Sequence, residues 1–164
     1  YPTEAIYGFG CDPWNPDAVQ KLLDIKRRSI EKGFILVADD FDKVEHLVEP
    51  ISNEQLSQAF ASWPGHVTWL FPAKHSSPLW LRGNHSTIAI RISAHPDIQR
   101  LCHQFNSPLI STSANRENHP PSKDTDAIQQ EFQGEVTCIL EGKIGDKVSP
   151  SEIKDIITGE IFRE

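Results

Sequence analysis

The sequence predicts an α/β fold, one domain built on a twisted mixed sheet of parallel and antiparallel strands flanked by helices. Three observations carry that expectation. Short apolar runs of strand character alternate with amphipathic stretches of helical period. Two strand-like runs, 67–71 and 87–92, follow one another without a helix between them, which a purely parallel sheet with its crossover connections does not allow. Finally, 164 residues, 38% hydrophobic and 24% charged, describe one ordinary globular domain and not a disordered chain. No internal repeat or linker divides residues 1–164.

Each element has a local reason. Tyr1-Pro2 reads as the end of a strand. Gly8 and Gly10 flank one aromatic residue, as at a backbone bend that side chains would obstruct, although an ordinary turn shows the same spacing. Asn15-Pro16-Asp17 starts a helix with Asn as N-cap and Pro in the first turn. Val19, Leu22, Leu23 and Ile25 line one face of it, and it ends at the cluster Lys26, Arg27 and Arg28, where cations favour a helix C-terminus. A strand over 33–38 follows. Asp40 caps a helix through Val44 and Leu47, and Asn53 starts another through Leu56 and Phe60, broken at Trp63-Pro64-Gly65. In the strand over 87–92, Ile88, Ile90 and Ile92 share one face, while Thr87, Ala89 and Arg91 share the other. An Arg in a strand interior has a specific anionic partner or points to solvent. Pro96 opens a helix through Ile98, Leu101, Cys102 and Phe105, and a strand begins at Leu109. Residues 115–123 read as a mobile loop, 125–132 as a helix, 136–140 as a strand and 153–162 as a hairpin turning at Thr158-Gly159.

Charge and cysteine usage narrow the function. Sixteen basic residues against 23 acidic ones leave a net charge of −7, which argues against sequence-independent nucleic-acid binding as the main task. Lys26, Arg27, Arg28 and Lys32 still form a local basic patch. Cys11, Cys102 and Cys138 are widely spaced and odd in number, and read as reduced, mostly buried thiols of a cytoplasmic protein. No signal peptide and no membrane-spanning apolar run is visible. The scattered His residues form no zinc pattern, no G-x-S-x-G elbow surrounds Ser111 or Ser113, and no Walker A loop occurs. A bound nucleotide would therefore be held by scattered cations and hydroxyls.

The most informative stretch is Leu109-Ile110-Ser111-Thr112-Ser113-Ala114-Asn115, an apolar strand running into small hydroxyl side chains and an amide. Small residues at a strand end let a ligand approach the backbone, and ligands in open α/β sheets sit outside strand ends. A polar strand exit would look the same. Two further segments bear on the choice: Pro2-Thr3-Glu4-Ala5-Ile6-Tyr7-Gly8-Phe9-Gly10 and Lys26-Arg27-Arg28.

In this order, with Ser113-Ala114-Asn115 closing the set, the three segments resemble the YrdC-like family, the threonylcarbamoyl-AMP synthases, in its short single-domain bacterial form. Trp63-Pro64-Gly65, Thr87-Ile88-Ala89-Ile90-Arg91 and Ser149-Pro150-Ser151-Glu152-Ile153 add to the likeness, which covers essentially the whole chain. The resemblance implies a YrdC-like fold and the condensation of L-threonine, bicarbonate and ATP, with Mg2+, to threonylcarbamoyl-adenylate and pyrophosphate. It implies tRNA and the tRNA threonylcarbamoyl-transfer proteins as downstream partners, and no membrane. That family carries a helix and a strand before the Pro-Thr-Glu motif. Together with the absence of Met, this suggests that the chain begins inside the domain.

Carried over by position, the likeness makes Lys26 and Arg28 catalytic. It assigns ATP to Arg28, Lys32, Thr87, Ser113, Asn115 and Arg163. It assigns threonine to Arg91, Ser111 and Ser151. Ala5, Ser29, Val37 and Pro121 depart from the common family residues. Ala5 and Val37 are expected to touch the amino-acid pocket, and Pro121 the nucleotide. The alternative from another class is a non-catalytic RNA-binding or ribosome-maturation module, and carbamoyl transfer within a much longer chain is a second enzymatic rival.

Overall fold

In the computed structural model, which describes residues 1–163, seven strands form one mixed sheet. They are β1 (Gly8–Cys11), β2 (Ile35–Ala38), β3 (Val67–Pro72), β4 (Thr87–Ile92), β5 (Leu109–Ser113), β6 (Glu152–Asp155) and β7 (Ile161–Arg163), in the spatial order β1-β5-β2-β4-β3-β6-β7. The helices are α1 (Pro16–Lys26), α2 (Asn53–Ser62), α3 (Leu79–Arg82), α4 (Pro96–Phe105) and α5 (Thr125–Phe132). The pairs β2–β4 and β3–β6 run parallel and the others antiparallel; β3 and β4 are direct antiparallel neighbours, although the short helix α3 lies between them where the sequence reading placed none. No helix among the described residues is long and apolar enough to cross a membrane.

The two-residue strand period splits this sheet into a core face and a largely open face. On β4, Ile88, Ile90 and Ile92 enter the main core, where they join Leu36, Phe71, Trp69 and Ile110 from neighbouring strands. Helix α1 closes that face with Val19, Leu22, Leu23 and Ile25, and α5 with Ile128 and Phe132. The Phe132 ring meets Phe9 edge-on at 4.9 Å. Trp63, Phe41 and Phe71 form an aromatic cluster, with ring centroids 5.6–6.0 Å apart. On the other face, register places Ala89 beside Ile35 and Leu70, and Ile35 beside Ser111. Helix α4 covers one end of this face, packing Ile98 and Cys102 on Val37. The remainder is the floor of a cleft.

Capping explains the helix ends. The Asn15 side chain accepts hydrogen bonds from the amides of Asp17 and Ala18, and Arg27 takes a left-handed conformation (φ 52°) that stops α1. Several sequence expectations are corrected. Asp40 caps a 3-10 turn over Phe41–Lys43, followed by another over Glu45–Leu47, in place of a full helix. Helix α2 does start at Asn53, capped by Ser52 in a capping box with Gln55. Residues 136–140 form no strand: Val136 and Ile139 pack against the core without a ladder partner, a placement that a short apolar run satisfies equally well. Gly8 and Gly10 lie in extended β1 and not at a bend. A Cβ on Gly10 would sit 2.6 Å from the Tyr1 ring, so the glycine makes room for a side chain. Only Cys102 is buried; Cys11 is half-buried and Cys138 exposed, and all three are free. Helix α3 was not anticipated from the sequence, while the hairpin β6–β7, turning at Thr158-Gly159, was.

The packing makes one stability prediction. Phe71, a fully buried β3 residue of the aromatic cluster, should cost about 3–5 kcal/mol when replaced by Ala. Phe105→Ala on exposed α4 surface should stay within about 0.5 kcal/mol of wild type. Urea midpoints of the two variants check this.

Candidate active site

A cleft of about 790 Å3 opens on the polar face of the sheet, in the size range of small-molecule sites. Arg28, Lys32, Thr87, Arg91, Ser111, Ser113, Ser151 and Arg163 all line it, although they come from widely separated segments. Lys26 and Asn115 do not line it. They stand behind the wall and hold it in place.

Lys26 is 3% exposed and its ammonium is fully engaged. It donates to the carbonyls of Ser113 (2.6 Å) and Asn115 (2.7 Å), to Asn115 Oδ1 (2.8 Å) and, at 3.3 Å, to Ser113 Oγ. Ser113 Oγ in turn donates to Asn115 Oδ1 at 2.6 Å. The Glu117 amide donates to the Lys26 carbonyl, and Arg116 donates to the Ile25 carbonyl. The α1 C-terminus therefore anchors the exit of β5, and the segment expected to be a mobile loop is tied down at its start. Burial, and then the Arg28 charge, push the Lys26 ammonium down to about 8, opposed by Glu117.

At the cationic end, the left-handed Arg27 turns Arg28 off the helix axis and into the cleft, while Arg27 itself stays exposed. The Arg28 guanidinium lies 5.3 Å from the centroid of the Phe34 ring and donates to the Gly33 carbonyl at 3.0 Å. Lys32 pairs with Glu117. Arg82, from the unanticipated α3, lines the same region. The Nε–H groups of Arg28, Arg82 and Arg91 are buried with no hydrogen-bond partner among the described residues. Orphaned buried donors are costly. Here all three belong to arginines that line the cleft.

At the other end, Arg91 is 6% and Glu4 7% exposed, with Arg91 Nη2 3.3 Å from Glu4 Oε2. Glu4 is the anionic partner that a strand-interior Arg requires, and Ser93 Oγ donates to its other oxygen at 2.6 Å. Arg163 stands beside Arg91, whose charge, after burial, lowers the Arg163 pKa. Arg163 donates to the Ser151 carbonyl through Nε (2.9 Å) and Nη2 (2.7 Å). Ser151 Oγ meets Thr68 Oγ1 at 2.8 Å. Ser111 Oγ accepts from the Tyr1 hydroxyl at 2.6 Å, which leaves the serine's own proton free to donate.

Of the departing positions, Ala5 lines the cleft, but Val37 does not: it is sealed beneath α4 with Ile98 and Cys102, because its strand position falls under that helix. Pro121 is exposed and away from the lining, and Ser29 caps the 3-10 turn Ile30–Lys32. Sequence reasoning assigned no role to Glu4, His66, Arg82 or Phe162, all of them at the site or in direct contact with it. Glu4 sits inside the Pro-Thr-Glu motif and His66 follows the Trp63-Pro64-Gly65 break, so two of the four stood next to a visible signal.

The Sua5/YciO/YrdC family model, described as "Telomere recombination", matches residues 1–164. The chain belongs to the Sua5/YciO/YrdC family. A threonylcarbamoyl-AMP synthase of Coxiella burnetii (strain RSA 493 / Nine Mile phase I) is 53% identical over 163 residues, 99% of this chain and 88% of the relative. The crystal structure of P. abyssi Sua5 complexed with L-threonine superposes with a TM-score of 0.86 at 27% identity, covering 94% of this chain. This chain spans under half, 45%, of that longer protein. E. coli YciO shares the fold, with a TM-score of 0.85 at 23% identity over 100% of this chain and 81% of its own.

The Lys26 anchor has a pH signature. The folded chain releases the Lys26 proton near 8, whereas the unfolded chain keeps it to about 10.4. Between those values the unfolded state binds more protons, so this group makes stability rise with pH. Lys26→Met should be less stable throughout and should lack that rise. Denaturation midpoints measured from pH 8 to 10 test this, and parallel slopes for the two proteins would contradict the depressed ammonium.

Proposed function

We infer that this chain is a threonylcarbamoyl-AMP synthase, condensing L-threonine, bicarbonate and ATP into threonylcarbamoyl-adenylate and pyrophosphate. The observation that carries the reading is that Arg28, Arg82 and Arg91 line one cleft together with the family's motif residues. The curated relatives named for this activity support it.

Threonine's amine and bicarbonate first form a carbamate with loss of water. A carbamate oxygen then attacks the α-phosphorus of ATP, and pyrophosphate leaves. The demand on the protein is to align the attacking oxygen and to neutralise charge moving onto the departing group. Arg28 and Lys32 are assigned to the ATP phosphates, and Arg82 extends that wall. Arg28 is held by the Phe34 ring and the Gly33 carbonyl, so its charge needs little reorganisation as the reaction proceeds. Thr87 and Ser113 are assigned to the nucleotide from the sheet floor, and Arg163 from the β6–β7 hairpin. Lys26 and Asn115 are assigned to shaping that pocket from behind.

Arg91 is assigned to the threonine carboxylate, with Ser111 and Ser151 beside it. The Arg91 guanidinium reaches Glu4 through Nη2, and its fork of five N–H donors leaves others for a substrate carboxylate. Among the described residues no group of three or more His, Cys, Asp or Glu side chains could hold a metal ion. We assign Mg2+ to the ATP substrate, bound through phosphate oxygens. The reactive mixed anhydride passes to tRNA through threonylcarbamoyl-transfer proteins, and three free thiols fit a cytoplasmic setting. A non-catalytic RNA-binding module would need its cations at the surface, and Arg91 and Lys26 are buried.

Pyrophosphate release from ATP should require threonine, bicarbonate and Mg2+ together; equal release without threonine would leave a simple nucleotide hydrolase. Within that assay, Arg28→Ala should raise the barrier by about 2–4 kcal/mol, the cost of losing a preorganised charge at a developing anion. Arg27→Ala should be nearly silent, since Arg27 is exposed and caps the helix through its backbone. Equal effects from the two would reduce the cluster to a basic helix end.

A further inference from the structure

We propose that His66 is a positioning residue for Arg91, holding the guanidinium through an unprotonated Nδ1 while its Nε2–H is anchored to the Ser149 carbonyl. The proposal rests on the threonine site assigned above. His66 Nε2 lies 2.9 Å from the Ser149 carbonyl oxygen, an atom that can only accept, so Nε2 carries the proton. In the neutral ring Nδ1 then has a free lone pair, and it faces Arg91 Nη1 at 3.4 Å. Arg91 can only donate. One backbone carbonyl thus selects the tautomer that presents an acceptor to the arginine.

The placement of the ring is built in. The Gly65 amide donates to the Ile92 carbonyl at 2.8 Å, which registers the segment before β3 against the residue that follows Arg91 on β4. A Cβ at Gly65 would sit 2.3 Å from the Ser62 carbonyl oxygen, so this tight passage needs glycine. Trp63 Nε1 closes the same turn by donating to the Val67 carbonyl at 2.7 Å. His66 therefore leaves a backbone that cannot drift relative to Arg91.

Arg91 is held on two sides by different elements, with Glu4 at Nη2 from the N-terminal segment and His66 at Nη1 from the entry to β3. Two of its five N–H donors are thus engaged, and Nε is buried without a hydrogen-bond partner among the described residues. Glu4 supplies charge and His66 supplies direction. A lone carboxylate can be approached by a guanidinium in several orientations, and a second acceptor at a fixed point narrows them. His66 also joins Arg91 to the strap that carries Ser151, through Ser149.

The test uses threonine and ATP titrations by calorimetry and steady-state KM and kcat on the full chain. His66→Ala should raise the threonine Kd and KM about tenfold, the usual size for a hydrogen bond to a charged group, and leave the ATP values within about twofold. Asn places an oxygen near the Nδ1 position but does not reach Ser149, whereas Gln places its amide nitrogen near Nε2. His66→Asn should therefore restore most of the threonine affinity, and His66→Gln should behave like His66→Ala. Rescue by Gln and not by Asn would overturn the proposal and assign His66 to anchoring the strap alone. The 15N shifts of the His66 ring should report the Nε2–H tautomer, and a proton on Nδ1 would equally overturn it. A wild-type protein that binds no threonine would instead remove the assigned function, a result these variants cannot mimic.

Discussion

Residues Ile88, Ile90 and Ile92 on β4 can enter the core only if Thr87, Ala89 and Arg91 emerge on the opposite face, and that coupling organises the molecule. A strand slipped by one residue would bury Arg91 among aromatic rings and expose three isoleucines. Because β4 lies in the middle of the sheet, its parity propagates through register to Leu70 on β3, Ile35 on β2 and Ser111 on β5. One face is then closed by α1 and α5. The other is capped by α4 at one end only, so residues from all seven strands share a cleft.

Within that cleft the charges fall into two sorts. Lys26 is a buried cation whose hydrogen bonds are all spent on the protein, and its effect on a ligand passes through the β5 exit it anchors. Arg28, Arg82 and Arg91 are incompletely satisfied, each with an Nε–H left over. Burying unpaired donors works against stability. The site thus places its rigidity in one set of cations and its binding capacity in another. The −7 net charge of the chain gives no hint of this local concentration.

The segments that frame the cleft are stitched by bonds between parts distant in sequence. The N-terminal Glu4 pairs with Arg91, His66 reaches Ser149, Thr68 reaches Ser151, and Arg163 returns to Ser151. The two ends of the described chain are thereby fastened to the same central strands. The C-terminal hairpin is a wall of the site: its edge strand β7 supplies Arg163 and leaves Phe162 exposed at the cleft.

Much of this was legible in the residues themselves. Asn15-Pro16 marks the start of α1, the Ile88-Ile90-Ile92 alternation marks the two faces of β4, and the ordered motifs mark the family, because each is a local pattern set by capping, strand period or chain order. The roles of Lys26 and Val37 were not legible. Three adjacent cations look alike until the left-handed turn at Arg27 sends one outward, one into the cleft and one beneath the β5 exit. Val37 has the parity of a cleft residue and lost its access only because α4 lies over it. The failed strand at 136–140 has the same origin, since apolar character demands burial but does not supply a backbone partner. The sequence by itself determined the fold class, the faces of the strands and the set of residues available for chemistry, since these follow from period and composition. Tertiary structure alone decided which of those residues face a ligand and which hold the others, because that depends on contacts such as Glu4–Arg91 and His66–Ser149 between atoms brought together only by folding.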